Sequence, residues 1–260
     1  MSSSLLTIRD LCAGYGRRRI IETLSVPAIE GGSVTALLGP NAAGKTTLLR
    51  ALAGLLPMTG GLDLCGEDLT ALSVAERASR VTYMPQSLPQ RVALTVFEAV
   101  LAALRASPLA GMSPEGARNE AMRALERLGI ADLALSSLDE LSGGQRQLAS
   151  LAQAIVRSPR VLLLDEPTSA LDLNHQHKVM ALVEEVARER GIVAIIVLHD
   201  IALACRWCKR VMVFSKGAVV ADGTPEKAVT PEVLAAVYGV SARVERCSRG
   251  FLQVSVDGPA

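Results

Sequence analysis

The stretch that most constrains this chain is VTALLGPNAAGKTTLL, Val34 to Leu49. Apolar residues run into a glycine-bearing loop and then into a helix-forming segment. The spacing G-x-x-x-x-G-K-[ST] is met by Gly39, Gly44, Lys45 and Thr46. A buried strand that must stop, turn tightly and start a helix predicts an α/β sheet edge. The same geometry makes an anion site. Backbone N–H groups and the helix dipole face a polyphosphate, Lys45 adds a point charge, and Thr46 offers a hydroxyl to a hard cation. The loop residues Gly39, Pro40, Asn41, Ala42, Ala43, Gly44, Lys45, Thr46 and Thr47 are therefore the expected phosphate cradle. Ala42 occupies a place where related loops often carry glycine. We expect φ below zero there, so that alanine stiffens the loop by about 0.4–1 kcal/mol relative to glycine.

A second feature lies downstream. VLLLDEP, Val161 to Pro167, ends four apolar residues on Asp165 and Glu166. A carboxylate closing a strand beside a phosphate loop is suited to Mg²⁺, and that is the expectation for Asp165. Neighbouring strand residues point to opposite sides, so Glu166 is free to face a water near the terminal phosphate and act as general base. Leu141 to Gln147, LSGGQRQ, contains a second phosphate-facing turn, Ser142, Gly143 and Gly144, again at a helix start. Two such turns in one chain pose a folding problem. A two-fold dimer solves it, each copy covering the nucleotide held by the other.

The rest of the chain alternates strands and helices, which implies a mostly parallel sheet covered on both faces. LLTIRDL and RRRIIETLSV suggest an antiparallel hairpin broken at GYG. Leu94 to Leu141 is helical in character and reads as an insertion. The expected layout is a core at about 1–90 and 148–260 with a helical subdomain at about 91–147. The segment after Lys216 suits either a regulatory tail or a last hairpin and helix. The net charge of +1 gives no argument for nucleic acid. No apolar run is long enough for a transmembrane helix, and the start lacks the features of a secretory signal, so a cytoplasmic protein is expected. Five cysteines make an odd set, which fits a reducing compartment. Cys205 and Cys208 form a C-x-x-C with no second pair beside it, and a helix with thiols one turn apart is the simpler reading. His175 and His177 are expected on a solvated helix start, and Asp172 at a dimer contact.

The ordered set of motifs resembles the ATP-binding subunit of ATP-binding cassette (ABC) transporters. GPNAAGKTT resembles the Walker A loop, LSGGQ the signature, and VLLLDEPTSALD the Walker B strand with its D-loop. The resemblance implies a P-loop NTPase (RecA-like) core with an antiparallel β subdomain and an inserted α-helical subdomain. It implies ATP and Mg²⁺, and a head-to-tail homodimer that closes on two ATP molecules between one Walker A loop and the other chain's signature. It places Tyr15 on the adenine, Gln86 at the Mg²⁺ or attacking water, His199 at the terminal phosphate, and Gln145 with the signature. It also implies integral membrane permease subunits and a periplasmic or extracellular substrate-binding protein. The chain would then sit peripherally on the cytoplasmic side of the inner membrane. LDLNHQ and ADGTPEKAVTPEVLAAVYGV are similar to the ATPases of iron(III)-siderophore, haem and cobalamin importers. Iron-chelate uptake is the favoured reading. The contrasting class is a non-transport ATPase acting on nucleic acid or ribosomes, for which a basic stripe or extra arm would be expected and none is seen.

Overall fold

The computed structural model describes residues 4–86, 93–106 and 111–260. The chain opens with long strands, β1 (Leu5–Tyr15) and β2 (Arg18–Glu30), followed by β3 (Ser33–Leu38) and helix α1 (Lys45–Leu52). Next come β4 (Met58–Leu64), β5 (Glu67–Asp68), α2 (Val74–Ala78) and β6 (Val81–Met84). Three helices then dominate: α3 (Val96–Arg105), α4 (Pro114–Arg127) and α5 (Gly143–Val156). The chain returns through β7 (Val161–Asp165), α6 (Leu173–Arg190), β8 (Val193–Val197) and α7 (Ile201–Trp207). It ends with β9 (Arg210–Ser215), β10 (Ala218–Gly223), α8 (Pro225–Ala228), α9 (Pro231–Tyr238), β11 (Val240–Arg246) and β12 (Leu252–Pro259).

Two sheets build the body. One is four-stranded and antiparallel, in the order β2-β1-β4-β5. The other is six-stranded, in the order β10-β9-β3-β8-β7-β6. All its strands are parallel except the edge strand β10. The period-2 alternation of strand side chains splits its core in two. Val161, Leu163, Val193 and Ile195 face α1 and the antiparallel sheet. Leu162, Leu164, Ala194 and Ile196 face the helices. Both faces are therefore covered, as a parallel sheet requires, and β7 and β8 are buried along their whole length. The expected fold class is what the chain adopts.

The helices α3 and α4 start on Thr95 and Ser113, whose side chains accept from backbone N–H groups three residues on. The expected boundary near 90–91 falls outside the described residues. The expected edge at 147 falls inside α5, which runs unbroken to Val156. The GYG break falls at its last residue. Tyr15 ends β1, and the turn is made at Gly16, with φ 57. The segment after Lys216 completes the edge of the main sheet with β10, adds two short helices, and closes with the separate two-stranded sheet β11-β12. Val240, Val244 and Val254 of that sheet pack on the helical face of the core. Arg206 at the end of α7 lies 4.8 Å above the Phe251 ring.

Candidate functional site

Parallel pairing carries the C-terminal ends of β3, β7 and β8 to one edge. Leu37 and Asp165 both pair with Val197. The loop after β3, the carboxylates ending β7 and the histidine after β8 therefore meet there. They line a cavity of about 870 Å³ that includes Tyr15, Lys45, Thr46, Gln86, Glu166 and His199.

The loop is held from inside. The Lys45 ammonium donates to the carbonyl oxygens of Gly39 at 2.7 Å and Pro40 at 2.8 Å. Lys45 is buried, and desolvation lowers its pKa against the opposing pull of Glu166 and Asp165. Gly39 must be glycine, because a Cβ there would sit 2.0 Å from the Phe214 carbonyl oxygen, at φ 146. Gly44 has φ 107 and caps α1, whose first-turn N–H groups have no intrahelical acceptor. This cradle suits a polyphosphate.

The expectation of negative φ at Ala42 is overturned: φ is 61. Left-handed backbone at this position curls successive N–H groups into one concavity, and the loop adopts it despite the Cβ. Ala42 is exposed. Alanine here marks strain and does not stiffen a relaxed loop.

Asp165 is 1 % exposed. It accepts from the Thr46 hydroxyl at 3.3 Å and from the Tyr83 hydroxyl at 2.9 Å. Burial raises its pKa, with the two hydrogen bonds opposing. Burial likewise pushes the Tyr83 phenol upward, so it remains a proton donor to Asp165. A desolvated carboxylate beside a hydroxyl, at the mouth of a phosphate cradle, is a donor set that fits Mg²⁺.

Glu166 follows at φ 54, a second left-handed non-glycine residue. Its carboxylate is gripped on both oxygens. His199 Nε2 lies 2.5 Å from Oε1, and Gln86 Nε2 donates to Oε2 at 2.7 Å. The structure thus brings together Glu166, His199 and Gln86, residues separated by long stretches of chain. Tyr15 stands at the rim, 44 % exposed, beside the Arg50 guanidinium, whose pKa is raised chiefly by this neighbour.

Ser142, Gly143, Gly144 and Gln145 lie elsewhere, lining a second cavity of about 640 Å³ with Ala170, Asp172 and His175. Ser142 caps α5 by accepting from the Gln145 N–H, and Gln145 Oε1 accepts in return from the Ser142 N–H. Asp172 caps α6, accepting from the His175 N–H at 2.8 Å. His177 is half-buried and not merely solvated: its Nδ1 accepts from Trp207 Nε1 at 3.2 Å. Burial raises the thiol pKa of Cys205 to about 11 and of Cys208 to about 12, and no metal-binding cluster occurs among the described residues.

Two contributors escaped the sequence reading. Tyr83 pairs with Leu163 in register, and so shares the face of Asp165 two residues further on. That phase relation was the available signal. Gln147 carried none, because its partners are backbone atoms of a distant loop.

Residues 25–169 match the family model described as ABC transporter. The chain is 37% identical over 247 residues to the hemin import ATP-binding protein HmuV of Bordetella avium, covering 92% of this chain and 94% of that protein. It is 36% identical over 248 residues to the ferric enterobactin transport ATP-binding protein FepC of Escherichia coli, covering 94% and 91%. Among solved structures, a metal-chelate type ABC transporter in an inward-facing conformation superposes with TM-score 0.79 at 25% identity over 97% of both chains.

The strained Ala42 sets a measurable expectation. Ala42→Gly should stabilise the protein by about 0.5–1 kcal/mol, the left-handed penalty outweighing the added unfolded-state freedom. Urea unfolding checks it, and a loss of similar size would mean that the alanine conformation is unstrained. With the phosphate cradle, the paired carboxylates and these relatives in view, the chain belongs to the ABC transporter family, as one of its ATP-binding, ATP-hydrolysing members.

Proposed function

We propose that this chain is the ATPase subunit of an importer and powers uptake of an iron(III)-siderophore or related metal chelate through separate membrane subunits. The observation that carries the catalytic part is the two-sided grip on Glu166 beside the Lys45 loop. The phosphates of ATP occupy the cradle from Gly39 to Thr47, and the Lys45 ammonium turns from its loop carbonyls to phosphate oxygen. Tyr15 offers its ring to the adenine at the cavity rim. Thr46, Asp165 and Gln86 would hold Mg²⁺, which neutralises phosphate charge when bound.

Hydrolysis then needs one oriented water. Glu166 accepts its proton as the water oxygen bonds to the γ-phosphorus and the bond to the bridging oxygen breaks. His199 and Gln86 hold the carboxylate oxygens and so fix where that proton can go. The signature residues Ser142, Gly143 and Gly144 line a different cavity of the same chain. They complete the site only from a second copy, arranged head to tail. A groove beside Gln86, formed in part by Leu55, Met84, Pro85, Ala103 and Arg157, lies between the core and the helical region and suits a permease segment. The chain would work peripherally on the cytoplasmic side of the inner membrane, with a substrate-binding protein on the far side.

The iron-chelate reading is supported by likeness to FepC and HmuV along nearly the whole chain. The HmuV likeness favours haem as the second reading. Deleting this chain from its host should abolish uptake of radio-iron-labelled siderophore, with return on adding back the wild type but not Lys45→Ala. Loss of haem uptake with siderophore uptake intact would select the second reading. Glu166→Gln should keep ATP affinity, slow turnover by about 10²–10⁴-fold and accumulate an ATP-bound dimer on sizing chromatography. Turnover at the wild-type rate would remove Glu166 from the role of base.

A further inference from the structure

Gln147 is a polar side chain at the start of a core helix, 7 % exposed, with no part in the nucleotide cavity. Both ends of its amide are used. Nε2 donates to the Glu166 carbonyl oxygen at 2.5 Å and lies 3.4 Å from Ser169 Oγ. Oε1 accepts from the Ala170 N–H at 3.0 Å. A carbonyl on one side and an N–H on the other fix the amide orientation without ambiguity. The clasp therefore closes on both ends of the turn from Glu166 to Ala170.

That turn begins with Glu166 in the left-handed region, which a residue with a Cβ holds only when its surroundings impose it. The side-chain grips by His199 and Gln86 act on the carboxylate. Gln147 acts on the backbone that aims it. The clasp also starts from α5, the helix whose first residues are the signature turn. The helix start itself rests on the same loop: a Cβ on Gly144 would meet the Ala170 carbonyl oxygen at 3.0 Å.

We infer that Gln147 is a positioning residue that holds Glu166 for hydrolysis, tying the carboxylate of this chain's own site to its own signature helix. The inference rests on the reading of Glu166 as general base. In a head-to-tail dimer that helix covers the partner's nucleotide. Displacement of α5 at one site is then delivered to the carboxylate at the other by two hydrogen bonds.

The test is a double-mutant cycle on the full chain, with ATP and Mg²⁺ as probes. Gln147→Met keeps length and volume and loses both hydrogen bonds. Gln147→Glu keeps the acceptor for Ala170 and sets a carboxylate oxygen against the Glu166 carbonyl. If the first variant fails to fold, the second carries the same measurement. Each should lower kcat by about 10–100-fold with KM for ATP within about twofold, the mark of a misplaced reacting group. In a Glu166→Gln background the same substitutions should change the residual kcat by less than about twofold, because their effect passes through the carboxylate. Equal losses in both backgrounds, or kcat unchanged in the first, would overturn the inference and leave Glu166 as the base. Normal turnover by Glu166→Gln itself would remove the base assignment and this inference with it.

Discussion

The constraint on which the rest depends is the parallel register of β3, β7 and β8. Once Leu37 and Asp165 are both paired with Val197, three strand ends share one edge. Every group of the candidate site that comes from these strands is positioned by that register. A shift of one residue in β7 would turn Asp165 toward the helical face and Glu166 toward α1. The strands are rigid because they are buried on both faces, so polar groups at their ends inherit crystalline precision from an apolar core.

The loops at that edge carry the cost. Ala42 and Glu166 both stand in left-handed backbone without being glycine. Asp165 is kept as a buried carboxylate whose charged form burial disfavours. Lys45 is buried with its charge spread over two carbonyls. Each of these weakens the unliganded fold, and each is what a bound polyphosphate and its cation would relieve. At this edge strain and desolvation sit where ligand binding can offset them, although left-handed non-glycine backbone also occurs away from it, at Asp10, Cys65 and Ser158.

Much of this was legible from residue order. The phosphate loop, Asp165 and Glu166 were readable because their chemistry is local: a strand end, a turn and a helix start lie within a few residues of each other. What escaped was non-local. Gln147 meets backbone atoms some twenty positions away, and no periodicity announces a side chain that bonds to a carbonyl. At Ala42 the Cβ penalty of a single residue gives the wrong sign of φ, because the loop as a whole sets the backbone there. The closing hairpin β11-β12 did carry a signal, the apolar–polar alternation of VSARVER and LQVSVD, which decides for a last hairpin against a regulatory tail.

On the proposed function, groups already converging at this sheet edge receive ATP with little rearrangement of the strands. A crystal structure of the Glu166→Gln chain with ATP and Mg²⁺ tests it most directly. The Lys45 ammonium should have left the carbonyls of Gly39 and Pro40 for phosphate oxygen. Thr46 and Asp165 should flank the cation, and Ser142 of the partner subunit should close on the same nucleotide. A nucleotide bound outside the loop, with Lys45 still on both carbonyls, would contradict it.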